Sequence, residues 1–219
     1  MKYYSVENLH PEDKECDRSQ AILPWSTEEI SAFMSPFRIP KWNTPSVQIN
    51  PTKKGLYDDF PFDLDGAFIV SQKGQRILEN LCKTSFQFLP VQAVDKGGIK
   101  LDIEYSLMVV LKKVDCLDYN RALYCGQDGH WNLGGLVINP DNVSASPAVF
   151  RVQGYRTVLV VCERVKKELE KNLVTGLSFS EVCLSTDSTA PDPVPVPEDV
   201  ITSYRTQWKL LPRFGDGGR

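Results

Sequence analysis

The chain has 219 residues, of which 42 % are hydrophobic and 24 % are charged, and its formal net charge is −3 at pH 7. A chain of this size and composition can bury one substantial core without disulfides or metals. Its longest apolar runs, Leu107 to Leu111 and Val158 to Cys162, are too short to span a membrane. The small negative charge argues against a general attraction to nucleic acid or to an anionic membrane. The first residues contain no apolar signal segment, so we expect a cytoplasmic protein.

Proline residues interrupt residues 1–63, which we expect to form an N-terminal segment with one short helix. Proline fixes φ and removes a backbone donor, so long regular elements are unfavourable there. Ser26 and Glu29 have the spacing of a capping box, and the apolar residues after them predict a helix that Pro36 ends. Residues 40–51 are predicted to be extended chain lying over the core. The aromatic anchors expected for this segment are Trp25, Phe37 and Trp42.

An acidic run with interleaved aromatic residues lies around the end of this segment. Residues 58–65 contain four acidic side chains and no basic one. Aromatic anchors ringed by charge are typical of binding hot spots; the alternative is that the phenylalanines pack inward while the acids face water. We expect the four aspartates to be largely exposed. The candidate partner-binding residues in this run are Asp58, Asp59, Phe60, Phe62, Asp63 and Asp65.

Residues 64–184 have the patterns of an α+β core. Apolar residues alternate from Ile99 to Leu111, which predicts a long strand. The segment 86–94 before it is also strand-like, and a polar, Gly-containing turn separates the two. We therefore predict a β-hairpin here.

Two segments of the core, residues 68–91 and 159–182, resemble each other at an offset of 91 residues. Both have the pattern strand–helix–strand, and they are either a repeat or two ordinary units that look alike. The second helix is predicted to end with Gly176 as a left-handed cap. The predicted fold is a mixed, mostly antiparallel sheet flanked by two short helices from these repeated strand–helix–strand units.

The six cysteines and two histidines form no pattern typical of a zinc site, and no phosphate-binding or dinucleotide-binding loop is present. We therefore expect no metal and no cofactor. Wide cysteine spacings in a chain without a secretion signal favour reduced thiols. Those with apolar neighbours are expected to pack as buried side chains. They are Cys82, Cys116, Cys162 and Cys183.

A Gly-rich stretch at residues 126–135 contains His130 and Trp131. Its simplest interpretation is a polar turn between strands, and both side chains are candidate partner-binding residues. The alternative is a catalytic loop in which Cys125 and His130 act with Asp128. No further orienting group stands at a recognisable spacing, so both interpretations remain open.

The composition changes after residue 184. Four prolines alternate with other residues between 191 and 197, which is typical of an extended spacer, so residues 185–199 are predicted to be a linker. An SH3-type ligand is the alternative. In the C-terminal tail, residues 200–219, apolar residues recur at helical spacing and predict a short docking helix. They are Ile201, Tyr204, Trp208 and Leu211.

Six segments of the core together match a known family pattern. They are residues 68–78, 87–91, 111–118, 147–152, 158–162 and 173–179. In this combination the core resembles a family of bacterial immunity proteins from polymorphic-toxin systems, first catalogued as a domain of unknown function and typified by a myxobacterial member. The resemblance spans roughly residues 64–184, and the first sixty residues match only loosely or not at all.

The resemblance implies a protein that binds a cognate toxin and neutralises it without catalysis, so no catalytic residues are carried over. Partner specificity is then expected on exposed loops and edges. The expected partner is a cognate protein toxin, with no nucleic acid and no membrane, and an exposed sheet edge would permit a homodimer. Two alternatives remain: a structural or adaptor module that docks through the linker and tail, and a small enzyme that uses Cys125, Asp128 and His130.

Overall fold

A computed structural model describes residues 2–8, 17–34, 36–63, 67–127, 129–143 and 147–206. These residues form an α+β fold, as predicted, but with two five-stranded sheets instead of one, two further strand pairs and five α-helices. The α-helices are α1 (Thr27–Phe33), α2 (Gln72–Cys82), α3 (Tyr119–Ala122), α4 (Glu163–Lys171) and α5 (Glu198–Thr206). Among the described residues, no helix is both long and apolar enough to cross a membrane.

The first sheet draws its strands from both ends of the chain. Its order is β13 (Leu177–Glu181), β1 (Tyr3–Asn8), β12 (Tyr155–Cys162), β11 (Val149–Val152) and β7 (Lys113–Val114). β1 lies between β12 and β13 and is antiparallel to both. The first residues of the chain are therefore an inner strand of a sheet whose other strands come mostly from the C-terminal half.

The second sheet contains the predicted hairpin. Its order is β2 (Gln20–Ile22), β3 (Ser46–Asn50), β5 (Phe86–Val94), β6 (Lys100–Val110) and β4 (Phe68–Ser71). β5 and β6 pair as antiparallel neighbours, which confirms the hairpin. Part of the chain predicted to lie extended over the core is β3, which pairs in parallel with β5. The predicted boundary near residue 63 therefore does not separate the hydrogen-bonded sheets, since both take strands from either side of it.

The two strand–helix–strand units have the same topology. In β4–α2–β5 the two strands flank β6, and in β12–α4–β13 they flank β1. The helices begin at equivalent positions, with Ser71 and Cys162 as extended N-caps 91 residues apart in the sequence. Leu78 and Leu169 are also equivalent, and both are buried. Whether the two units are a repeat by descent stays a prediction.

The core consists of two apolar clusters separated by the second sheet. Alternate β6 side chains enter different clusters: Met108 and Val110 pack between the sheets, whereas Leu107 and Val109 pack against α1. This follows from the two-residue period of a strand. The predicted capping box is confirmed, because Ser26 Oγ accepts from the Glu29 amide at 3.3 Å and the Glu29 carboxylate accepts from the Ser26 amide at 2.8 Å.

Four short strands and one 3₁₀ turn complete the described chain. β8 (Leu123–Cys125) and β9 (Trp131–Leu133) pair antiparallel, and β10 (Val137–Ile138) and β14 (Cys183–Leu184) pair in parallel. A single 3₁₀ turn covers Pro140–Asn142. These elements, with α3 and α5, carry much of the candidate site described below.

The end of α4 differs from the prediction. The left-handed residue that follows the helix is Leu173, with φ of +51°, and not Gly176. Its amide donates to the Glu170 carbonyl at 2.9 Å and the Val174 amide donates to the Leu169 carbonyl at 3.1 Å. This is the hydrogen-bond pattern of a Schellman motif, in which glycine usually takes the left-handed position. Gly176 also has a left-handed backbone conformation, with φ of +92°, but it is not part of this helix cap.

Replacing Leu173 with glycine is expected to stabilise the protein by about 0.5–1 kcal/mol. An L-residue in the left-handed region costs roughly 1–2 kcal/mol, part of which the chain entropy of glycine offsets. Leu173 is 78 % exposed, so little apolar burial is lost. Urea denaturation measures the change. Leu56 is comparably exposed without a positive φ, so Leu56→Gly is the matched control and should not stabilise; equal effects of the two changes would contradict the prediction.

Candidate functional site

Much of the acidic run predicted to be exposed lies inside the protein. Asp58 is 7 % exposed and Asp63 is 3 % exposed, so the predicted exposure is wrong for both. Phe60 and Phe62 are buried, as the alternative interpretation had it, and Asp59 is half-buried. Asp65 lies outside the described residues. The predicted role of this run in partner binding stays a prediction, and one that burial argues against.

Asp58 is buried because its carboxylate is hydrogen-bonded to the segment around Ser19. Its Oδ2 accepts from the Ser19 amide at 2.7 Å and from Ser19 Oγ at 3.2 Å. Arg18 approaches its other oxygen at 3.5 Å. Buried carboxylates are tolerated when they are hydrogen-bonded and paired in this way. Asp58 therefore holds the N-terminal segment against the rest of the fold.

Asp59 connects the two strand–helix–strand units. One carboxylate oxygen accepts from Ser71 Oγ at 2.6 Å, at the start of α2. The other accepts from Lys73 Nζ at 2.9 Å and from the Thr175 amide at 3.1 Å, beyond the end of α4. The residue therefore links α2 of one unit to the loop after α4 of the other.

Asp63 faces a buried cation that the sequence did not reveal. Arg151 on β11 is 1 % exposed, and its guanidinium lies 5.8 Å from the centre of the Phe68 ring. Burial lowers the pKa of Arg151 to about 10, and the negative charge of Asp63 opposes that shift. Arg151 is therefore still cationic at neutral pH. Asp63 Oδ1 also accepts from the Ala67 amide at 3.0 Å.

An acidic lobe forms where the proline-rich segment packs against the core. We define the acidic lobe as residues 115–143 and 183–206. Its parts are joined by the pairing of β10 with β14 and by a hydrogen bond from the Val194 amide to the Asn120 carbonyl at 2.7 Å. Tyr204 on α5 donates its hydroxyl to the Trp131 carbonyl at 2.9 Å. The segment predicted to be a spacer is thus docked on α3, and α5 is docked on β9.

The lobe is more acidic than the chain as a whole. By sequence it has eight acidic and two basic residues, against a net charge of −3 for the whole chain. Both arginines are paired within the lobe: Arg121 lies 3.4 Å from Asp118, and Arg205 lies 3.1 Å from Asp115. The exposed Asp192 and Asp199 form no ion pair with any described residue. The lobe therefore presents uncompensated negative charge.

His130 and Trp131 are the predicted contact residues that lie on the acidic lobe. His130 is exposed at the β8–β9 turn, and Trp131 is half-buried beside α5. Tyr124 on β8 is 51 % exposed and is a further aromatic side chain of the lobe. Sequence reasoning missed the lobe because its acidic residues become neighbours only when the segment after β14 docks.

The catalytic alternative depends on Cys125, Asp128 and His130, of which the structure describes Cys125 and His130. Cys125 is exposed, and its Sγ lies 3.7 Å from the Gly126 carbonyl; Asp128 is outside the described residues. Within the described part of the chain, no group of three or more His, Cys, Asp or Glu side chains could hold a metal ion. Burial raises the pKa of the Cys82 thiol to about 11 and that of Cys116 to about 12. These two and Cys162 are buried, as predicted, whereas Cys183 is half-buried.

A comparison with protein-family models finds one that covers residues 7–183 of this chain, described as an immunity protein family, Imm11. The chain belongs to the Imm11 immunity protein family. The predicted family is thereby confirmed, and the match is longer than the predicted one because it includes most of the N-terminal segment of this Imm11 protein. That extent agrees with the fold, in which β1, β2 and β3 belong to the two large sheets. A search of curated proteins found no match.

Proposed function

We propose that this Imm11 protein neutralises a cognate bacterial toxin in the cytoplasm by binding and occluding it, without catalysis. The observation that carries the proposal is the family match over residues 7–183. A toxin from a polymorphic-toxin system is the partner that the sequence resemblance implies.

The contact surface we propose is the acidic lobe, including His130 and Trp131. Its net negative charge complements a basic surface, and complementary charge speeds encounter and favours the right partner. Its exposed Tyr124 and half-buried Trp131 are residue types enriched at binding hot spots. The buried side chains of Asp58, Phe60, Phe62 and Asp63 would need a rearrangement to reach a partner.

Co-expression with the toxin encoded beside the gene tests the function itself. We expect the chain to protect cells and to co-purify with the toxin as a stable 1:1 complex. Size-exclusion chromatography of the free chain also tests the predicted homodimer. A chain that protects cells while forming no complex with the toxin, or that chemically alters the toxin, would contradict the proposal.

Replacing Asp141, Asp192 and Asp199 with asparagine is expected to slow toxin association about tenfold at low salt, with the difference shrinking at high salt because exposed charges are screened. These carboxylates lie on the lobe and take part in no ion pair with described residues. Stopped-flow or surface plasmon resonance measures the association rate.

The matched control replaces three exposed acids outside the lobe that form no ion pair with a described residue, Glu79, Asp102 and Glu104, with their amides. It removes the same charge from the molecule, so it should leave the association rate within about twofold of the parent. If both triple variants slow association equally, net charge and not the lobe is responsible, and the proposed surface is wrong.

A further inference from the structure

The first residues of β6 form an open edge of the second sheet. On one side β6 pairs with β5, and on the other side β4 pairs with it only from Tyr105 to Met108. Within the described part of the chain, no strand pairs with the preceding residues on that second side. We define the open edge of β6 as residues 99–103, which lie between the hairpin turn and the part of β6 that β4 covers. Unpaired edges of this kind are templates for pairing with another strand.

The backbone groups at alternate residues of this edge face the open side. The Leu111 amide donates to the Ser85 carbonyl at 2.8 Å, next to the last pair of the β5–β6 ladder. Because the bonds of an antiparallel ladder alternate, odd-numbered residues of β6 bond to β5 and even-numbered residues face the other side. The β5–β6 register shifts once, by two residues, which keeps this alternation. The N–H and C=O groups of Lys100 and Asp102 therefore face the side that has no strand.

The side chains of the open edge are apolar on one face and charged on the other. Ile99 is 68 % exposed, and Leu101 and Ile103 are half-buried at the margin of the cluster that packs against α1. These three side chains share one face because of the two-residue period of a strand. Lys100 and Asp102 are exposed on the opposite face and form no ion pair with a described residue. The edge thus presents a row of apolar side chains and two charges of opposite sign.

We propose that the open edge of β6 pairs with the same edge of a second copy of this chain, antiparallel and about a two-fold axis at Leu101. In this register Leu101 lies opposite Leu101 of the other copy, and Ile99 lies opposite Ile103. On the other face Lys100 of each copy lies opposite Asp102 of the other. Cross-strand apolar pairs and pairs of opposite charge both stabilise a sheet. The edge is therefore complementary to itself on both faces, as a two-fold interface requires.

The charges select this register among its neighbours. Lys100 and Asp102 both face the open side, so their two pairings are hydrogen-bonded pairs, each of which exchanges two N–H···O bonds. The adjacent registers that keep the apolar residues on one face place either Lys100 or Asp102 opposite itself, where like charges repel. A second copy fits the edge because this one register satisfies its backbone, its apolar row and its charges together.

The proposed interface is small, so the dimer is expected to be weak. It has about five residues a side, whereas a standard interface has about 20–30 a side. We expect a Kd of about 0.1 mM. At about 1 µM the chain is then almost entirely monomeric, and a substitution at Asp102 does not act through the dimer there. The pairing does not depend on toxin binding at the acidic lobe.

Sedimentation equilibrium of the full chain between about 10 and 300 µM tests the pairing. We expect a monomer–dimer equilibrium that Lys100→Asp weakens at least about tenfold, because both charge pairs become repulsive. Asp102→Lys should have the same effect for the same reason. The matched control, Lys54→Asp, makes the same charge change as Lys100→Asp at an exposed site outside the edge. It should change the Kd by less than about twofold.

Mixing the two single variants tests the register itself. A copy with Lys100→Asp and a copy with Asp102→Lys have opposite charges at both facing positions. An equimolar mixture should therefore form dimers that neither variant forms alone, and circular dichroism checks that each variant is folded like the parent. Single variants that dimerise like the parent, or a mixture that stays monomeric, would overturn the proposal.

The other occupant of such an edge is a strand of the toxin. A parent chain that is monomeric at about 300 µM would contradict the pairing of two copies. If Leu101→Lys then also slowed association with the toxin, the edge would receive a toxin strand and not a second copy.

Discussion

Replacing Asp63 with alanine is expected to lower the free energy of unfolding by about 3–5 kcal/mol, the usual cost of removing one partner from a buried charge pair. Arg151 is 1 % exposed and Asp63 is 3 % exposed. Water therefore cannot solvate either charge when the other is removed. The variant removes negative charge that balances the positive charge of the buried guanidinium. It also removes the acceptor of the Ala67 amide. Urea denaturation monitored by circular dichroism measures the loss.

The control for Asp63→Ala is Asp102→Ala. Asp102 is exposed on β6, and substitutions at such positions usually change stability by less than about 0.5 kcal/mol. A second variant, Asp63→Asn, keeps an acceptor for the Ala67 amide and removes only the charge, so it should lose most of the same stability. If both Asp63 variants behave like Asp102→Ala, Asp63 does not compensate the charge of Arg151.

Replacing Gly176 with alanine is expected to cost at least about 3 kcal/mol. Gly176 has φ of +92°, and a Cβ built there lies 2.0 Å from the Phe60 carbonyl oxygen. The approach is close because the Phe60 amide donates to the Thr175 carbonyl at 3.0 Å and the Asp59 amide donates to Thr175 Oγ1 at 2.9 Å. A side chain at this position therefore has to separate two backbone segments that are hydrogen-bonded to each other. The same denaturation experiment reports the change.

Gly55 provides the comparison that isolates this clash. Its φ of +76° is also left-handed, but a Cβ there meets no atom within 4 Å. Gly55→Ala should therefore lose only about 1–2 kcal/mol, the cost of the backbone conformation alone. Similar losses at the two positions would mean that the contact with Phe60 does not constrain Gly176.

The strongest sequence predictions concern elements whose signals lie within a few residues. The capping box at Ser26 and Glu29, the hairpin of β5 and β6, and the two strand–helix–strand units each depend on local spacing. Helix caps and strand alternation are local chemistry, so a single sequence contains them. Two local predictions are wrong. Phe37 was expected to be an aromatic anchor and is 67 % exposed. Gly176 was expected to cap a helix, and the structure uses it for a close backbone approach instead.

The errors in the candidate site have a different origin. Asp58 and Asp63 were predicted to be exposed because no base is near them in the sequence. Their partners come from distant segments: Ser19 and Arg18 for Asp58, and Arg151 for Asp63. The acidic lobe was missed for the same reason, because Asp192 and Asp199 join the acids near α3 only through the docking of the segment after β14.

By itself, the sequence determined the α+β class, the main helices and strands, the family of the chain and its lack of a recognisable cofactor motif. These follow from residue type and local spacing, which do not change when the chain folds. The tertiary structure alone decided that β1 pairs between β12 and β13, that two sheets form instead of one, and which acids face water. Those outcomes depend on contacts between segments that are far apart in the chain. The burial and strand pairing that these contacts produce cannot be inferred from the pattern of any one segment.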